Sequence, residues 1–122
     1  MDISPESLAI YRKNAETRWQ NKQKKLEQRR KQAWIVAKEA SEMLKGKYHA
    51  KKVLIFGSLV HNYWFSETSD IDLAAWGIDS HAYFEAVGDL QGVSYDFQID
   101  LIYGESAKND LLSAILEQGK QI

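Results

Sequence analysis

One stretch of the sequence, residues 53–73, constrains the fold more than any other. It opens with the apolar run Val53–Phe56, which predicts a short strand buried on both faces because no polar residues alternate with the apolar ones. Gly57 and Ser58 follow. Glycine permits close approach of the backbone and serine is a common N-cap. The pair therefore predicts a turn into a helix beginning near Leu59, whose first N–H groups could bind phosphate.

Two carboxylates follow that turn after eleven intervening residues, where Asp70 and Asp72 alternate with Ile71 and Leu73. Side chains of a strand project to opposite faces in turn, so the two acids should share one face, about 6–7 Å apart. Like charges so placed repel each other, and a fold gains nothing from them unless a cation lies between them. Mg²⁺ takes such hard oxygen ligands, so a second strand, Ile71–Trp76, is predicted to carry a metal site.

A third acidic residue interrupts the predicted strand Phe97–Tyr103, where Asp100 lies between Ile99 and Leu101. A buried carboxylate without a partner is costly, and it is normally neutralised, paired or bound to a metal. Asp100 is therefore a third candidate for the site. The alternative is an aspartate at an exposed strand edge.

The order of a strand, Gly57-Ser58, a spacer and Asp70-Ile71-Asp72 resembles the signature of the polymerase-β-like nucleotidyltransferase superfamily. The short chain is most similar to the minimal, stand-alone members, and the resemblance covers roughly residues 52–118. It implies an α/β fold, a small mixed sheet with helices packed on it, here preceded by a long N-terminal helix. The chain departs from many relatives at His61 and Asn62, because those relatives carry an arginine there that could grip a triphosphate.

The resemblance also implies a reaction, the Mg²⁺-dependent transfer of a nucleoside monophosphate from a nucleoside triphosphate, most often ATP, to a hydroxyl group. Asp100 would lie on a neighbouring strand and act as metal ligand, general base or both. Two Mg²⁺ ions are implied. The implied catalytic residues and metal ligands are Asp70, Asp72 and Asp100. The implied nucleotide-binding residues are Gly57, Ser58 and Ser69.

The N-terminal part of the chain predicts one long helix. Ser4 is a candidate N-cap before Pro5, no proline or glycine follows until Gly46, and apolar residues recur at helical spacing. A helix of about 40 residues would be about 60 Å long, so it should either protrude or break near Gln20–Gln28. We expect residues 1–50 to form a basic helical extension and residues 51–122 the nucleotidyltransferase core, together one structural domain.

Two further helices are predicted after the second strand. Asp79 and Ser80 should begin one that stops near Gly88, and Ser106 should cap a last helix over Ala107–Gln118.

Charge divides the chain sharply, although the formal net charge is only −1. Residues 1–52 hold 14 Lys and Arg against 6 Asp and Glu, whereas residues 53–122 hold 2 against 11. The acidic part could recruit cations. A basic run on the predicted helix indicates a solvated face, a contact surface for nucleic acid, or a surface for a partner or a second copy. It consists of Lys22, Lys24, Lys25, Arg29, Arg30 and Lys31.

Other features exclude whole classes of protein. The chain has no cysteine, which excludes a disulfide framework and thiolate metal sites. No apolar run approaches the length of a membrane span and no signal-peptide pattern opens the chain, so we expect a cytoplasmic protein.

Partners follow from the resemblance alone. Minimal nucleotidyltransferases are often the antitoxin half of a two-component system, in which they adenylylate a HEPN-type toxin RNase, and the long helix could be the docking surface. Two alternatives stay open at this point: a catalytically inactive partner-binding module of the same fold, and a nucleic-acid-binding domain that uses the basic helix.

Overall fold

A computed structural model describes residues 4–61 and 65–122 of the chain. Within those residues the chain forms three α-helices and four strands. The helices are α1 (Pro5–Lys47), α2 (Tyr83–Gln91) and α3 (Asn109–Gln118). The strands are β1 (Lys52–Phe56), β2 (Ile71–Trp76), β3 (Ile99–Tyr103) and β4 (Lys120–Gln121). None of the described helices combines the length and apolar character needed to cross a bilayer.

The four strands form one mixed sheet in the order β3-β2-β1-β4. β1 pairs antiparallel with β2 and with β4, whereas β2 and β3 are parallel. The predicted α/β fold with a small mixed sheet is confirmed, as are the first two predicted strands within one residue. β4 was not predicted, because two exposed residues carry no strand pattern of their own.

Helices cover both faces of the sheet. Residues of α1 and α2 pack with Ile71, Leu73 and Ile99 in the larger core cluster. Ile115 of α3 packs with Ala74 on the opposite face. Because side chains alternate along a strand, the residues of β2 between those of the larger cluster point towards the α3 side. Asp72 is one of them.

α1 is a single helix of 43 residues, so of the two predicted alternatives, protrusion or a break near Gln20–Gln28, the break does not occur. The Ser4 hydroxyl accepts a hydrogen bond from the N–H of Ser7, which confirms the predicted cap. The helix runs through Gly46 to Lys47, slightly beyond the predicted end, because glycine weakens a helix without ending it. Within α1 the side chains before Leu26 are exposed except for half-buried Ala15, so the first half of the helix protrudes from the core.

The last part of α1 belongs to the core, since Ala33, Val36, Ala37, Ala40 and Leu44 are buried there. The division of the chain at residue 50 stays a prediction.

The other predicted helices were partly wrong. A single 3₁₀ turn, Gly57–Leu59, follows β1 where an α-helix was predicted. α2 continues past Gly88 to Gln91, and a 3₁₀ turn with Asp79 as N-cap precedes it. Before α3, Ser106 closes another 3₁₀ turn instead of capping the helix. The differences at α2 and α3 lie at helix ends, where local geometry depends on tertiary contacts more than on sequence pattern.

Candidate active site

The sheet register brings two of the predicted acids together. In the parallel pair of β2 and β3, Asp72 is the partner of Asp100. On its other side Asp72 is paired with Phe56, the last residue of β1. Both aspartates are the second residue of their strand, so they lie at the same end of the sheet. The sequence predicted that acidic and apolar residues alternate along each strand. Only the register of the strands shows that the two acids lie side by side.

Burial and the neighbouring acids make the carboxyl group of Asp72 a weaker acid. The pKa of the Asp72 carboxyl group is raised to about 6, mainly by partial burial and then by the negative charges of Asp100 and Asp70. Asp70 directly precedes β2 and is half-buried, as are the other two. The three acids therefore act on one another electrostatically.

Gly57 lies directly against this acidic pair. Its φ angle is +78°, and a Cβ atom there would overlap the Oδ2 atom of Asp72. Glycine is therefore required twice over, for the backbone conformation and for the space that the carboxylate fills. The turn after β1 and the acids of β2 form one local structure.

Asp100 is held by a neighbour on its own strand face. The Nε2 atom of Gln98 donates a hydrogen bond of 3.2 Å to Oδ1 of Asp100. The sequence analysis assigned no role to Gln98, although it lies two residues before Asp100 in the same predicted strand. The spacing of two residues was the signal that could have identified it.

The two predicted phosphate-binding serines lie in the turns that follow β1 and precede β2. Ser58 is half-buried within the 3₁₀ turn, for which no side-chain capping bond is found in the described structure. The Ser69 hydroxyl accepts a hydrogen bond of 2.8 Å from the N–H of Ser66, within the turn that leads into Asp70. Nucleotide binding by Gly57, Ser58 and Ser69 stays a prediction.

Residues of the spacer are only partly described. Phe65 is buried in the larger core cluster. His61 contacts the Oε1 atom of Gln118 through Nε2 at 3.1 Å. The predictions for Asn62 and Trp64 lie outside the described residues.

The family profile described as "Polymerase beta, Nucleotidyltransferase" matches residues 38–122. The chain belongs to this family. It is a minimal nucleotidyltransferase domain, as the sequence resemblance implied. No curated protein matches the chain.

Several solved structures share the nucleotidyltransferase fold of the chain, and all those named here contain toxin–antitoxin proteins. A toxin–antitoxin crystal structure with AMP-PNP is 26% identical, with a TM-score of 0.56 over 68% of this chain and 69% of that one. The MntA–HepT toxin–antitoxin is 25% identical, with a TM-score of 0.50 over 70% and 67%.

A third similar structure, a tri-AMPylated HEPN toxin of Shewanella oneidensis in complex with an MNT antitoxin, has a TM-score of 0.55. It is 24% identical over 73% of this chain and 70% of that one, so it supports the fold alone.

Whether the acids of this nucleotidyltransferase suit a divalent ion can be tested on their chemistry. Among residues 4–61 and 65–122, no three or more His, Cys, Asp or Glu side chains form a ready-made metal cluster. Mg²⁺ seldom uses such a cage, because it retains waters and is commonly held by one or two carboxylates together with substrate phosphates. The register pair of Asp72 and Asp100, in which burial and then neighbouring negative charge raise the pKa of Asp72, matches that requirement.

Sequence reasoning missed one residue near the site. Arg29 was assigned to a basic run, but its guanidinium donates hydrogen bonds to the backbone oxygens of Ser69 and Asp96, at 3.4 and 3.3 Å. It also lies 4.2 Å from the ring centre of Phe97. No local signal distinguishes Arg29 from exposed Lys24 or Lys25, since its partners are 40 and 67 residues away.

Proposed function

We propose that this chain is an active nucleotidyltransferase that transfers a nucleoside monophosphate, with ATP as the favoured donor, to a hydroxyl group of a partner protein. The register pair of Asp72 and Asp100 beside Gly57, in a chain of the polymerase-β family, carries this proposal.

The acidic residues would hold Mg²⁺. Asp72 and Asp100 would be its main ligands, and Asp70 would add negative charge and serve as a further ligand. When bound, Mg²⁺ supplies charge neutralisation for the phosphates and activation of the accepting hydroxyl. Gly57, Ser58 and Ser69 would bind the phosphates, where glycine leaves room for their close approach.

The remaining chemistry requires few residues, because phosphoryl transfer depends mainly on positioning and on stabilisation of charge. The acceptor oxygen attacks the α-phosphorus and the bond from that phosphorus to the bridging oxygen breaks, so that pyrophosphate leaves. Asp100 accepts the proton of the hydroxyl. Since Oδ1 of Asp100 accepts a bond from Gln98, we assign this proton to Oδ2.

The proposed protein partner is a HEPN-type toxin, which would make this chain the antitoxin of a pair. Support comes from the similar structures at 25–26% identity, which contain toxin–antitoxin proteins. The protruding half of α1 provides an exposed surface for such a protein.

Incubation with Mg²⁺, a lysate of the source cells and ATP labelled on either the α- or the γ-phosphate tests the reaction. We expect protein to be labelled from α-labelled ATP alone, since transfer of a γ-phosphate would be kinase chemistry. Asp72→Asn should reduce labelling at least about 100-fold, because it removes one charge of the pair.

The matched control is Asp110→Asn, an exposed aspartate of α3 that should label as wild type does. Equal labelling by the Asp72 variant would refute the proposed site. Absence of labelling by the wild-type chain would leave the second candidate, a non-catalytic partner-binding module. The exposed part of α1 before Leu26, which lies outside the family match, favours that candidate.

A further inference from the structure

We infer that Arg29 is a positioning residue, which fixes the starts of the two acid-bearing strands from the face of the sheet opposite the acids. The inference that Arg29 holds the strand starts is independent of the reaction, whereas its consequence for metal binding rests on the proposed function.

The contacts of Arg29 bridge two segments that are distant in sequence. One terminal nitrogen donates to the backbone oxygen of Ser69, the residue before Asp70, at 3.4 Å. The other donates to the backbone oxygen of Asp96, in the segment that leads into β3, at 3.3 Å. A single planar group thus holds together the chain segments that enter β2 and β3.

The packing below the guanidinium restricts it further. Its central carbon lies 4.2 Å from the ring centre of Phe97, and that ring is only 4% exposed. Arginine suits this place better than lysine, because its rigid fork can donate in two directions while its flat face stacks on a ring. Lysine would retain the charge and lose the simultaneous contacts.

The next bond along the sheet connects this contact to the acids. The N–H of Ile71 donates to the backbone oxygen of Gln98 at 2.9 Å, which joins β2 to the segment before β3. Ile71 lies between Asp70 and Asp72, and the Gln98 side chain binds Asp100. Arg29 therefore bridges the strand starts just before the bond that sets the acids side by side.

Residue 29 lies before the family match, which begins at residue 38. The N-terminal helix of this chain would therefore contribute to the geometry of the acids. Partner residues that orient metal ligands commonly change metal affinity by about 10–100-fold when they are removed.

Amide hydrogen exchange of the full chain without metal tests the structural part. Arg29→Lys retains the charge and Arg29→Met retains contact with Phe97, but neither has the planar fork that donates to both carbonyl groups while it stacks on the ring. We expect the Ile71 amide to exchange at least about 10-fold faster in both variants, with the middle of β2, Leu73–Ala75, unchanged. The control is Arg30→Lys, at the adjacent helix position.

Calorimetric titration of Mn²⁺ in the presence of AMP-PNP tests the consequence. We expect the dissociation constant to rise about 10-fold in both Arg29 variants and to stay constant in Arg30→Lys. A purely structural role would leave this affinity unchanged in variants that still fold.

The outcomes separate the two proposals. Unchanged exchange at Ile71 would overturn the inference whatever the chain catalyses. Faster exchange with unaltered Mn²⁺ affinity would reduce Arg29 to a structural residue and overturn its positioning role. If the wild-type chain binds no Mn²⁺ and labels no protein, the proposed function fails, and with it the positioning of metal ligands, while the exchange result still decides whether Arg29 holds the strand starts.

Discussion

Gly57 is the residue with the least freedom to change in the candidate site, because its φ angle is positive and Oδ2 of Asp72 occupies the space of a side chain. We expect Gly57→Ala to lower the free energy of unfolding by about 2 kcal/mol and to abolish nucleotidyl transfer. Urea denaturation measures the first effect and α-labelled ATP the second.

Gly88 is the matched control, since no atom lies within 4 Å of a Cβ atom built there, in the interior of α2. Gly88→Ala should stabilise the protein by about 0.5–1 kcal/mol and leave transfer intact. Equal effects of the two substitutions would show that Gly57 has no special role.

Asp72 should destabilise the metal-free protein at neutral pH. Its pKa of about 6 in the folded state exceeds the value of 3.8 expected for the unfolded chain, so the folded state binds the proton more tightly. The wild-type protein should therefore lose stability as the pH rises from about 4 to about 7, where the carboxyl group ionises.

Asp72→Asn removes that charge. In EDTA at pH 8 it should be more stable than wild type by about 1 kcal/mol, after allowance for screening of a half-exposed group, and the difference should disappear near pH 4. Thermal denaturation at both pH values measures this, with Asp110→Asn as a control that should not respond. A lower Tm for the Asp72 variant at pH 8 would contradict the proposed repulsion.

At the scale of elements, an ion pair connects the end of α1 to α2. Lys47 donates to Oδ2 of Asp89 at 2.6 Å, and the Tyr48 hydroxyl donates to the same oxygen. The bond from Lys47, and then the one from Tyr48, lower the pKa of the Asp89 carboxyl group.

A carboxyl group with a lowered pKa stabilises the fold above its unfolded pKa, and this contribution is lost as the pH falls through the folded value. Asp89→Asn should therefore lower the Tm by a few degrees at pH 7, and the difference in Tm from the wild type should narrow below about pH 4. Glu85→Gln, whose carboxylate lies 3.9 Å from Lys47, should have little effect. A difference in Tm that stays constant from pH 7 to pH 3 would exclude ionisation of Asp89 as the cause of the difference.

The sequence predicted those elements in which one periodicity extends over several residues. The apolar run of β1 and the alternation in β2 were sufficient for their strands, and Asp100 was placed between apolar neighbours as observed. Elements whose structure depends on distant partners were missed. The 3₁₀ form of the turn at Gly57, the pairing of β4 and the contacts of Arg29 are all set by groups far along the chain, which a local pattern cannot report.

At the scale of the whole molecule, α1 consists of a protruding half and a packed half. Deletion of residues 1–21 removes no fully buried side chain of the described structure, so the Tm should change by less than about 2 °C. Deletion of residues 1–37 also removes buried Ala33, Val36 and Ala37, and it should cost about 3 kcal/mol or more. Thermal and urea denaturation compare the two. A short deletion as harmful as the long one would show that the protruding half supports the core.

The length of α1 also sets a distance for any assembly. Its first 21 residues, at about 1.5 Å each, carry the tip about 30 Å beyond the point where Leu26 meets the core. A toxin bound only to this tip would have to extend back along that distance to bring its hydroxyl group close to the acids. A compact partner would consequently have to lie along α1. A partner held at the tip of α1 could be modified only if it were elongated or dimeric.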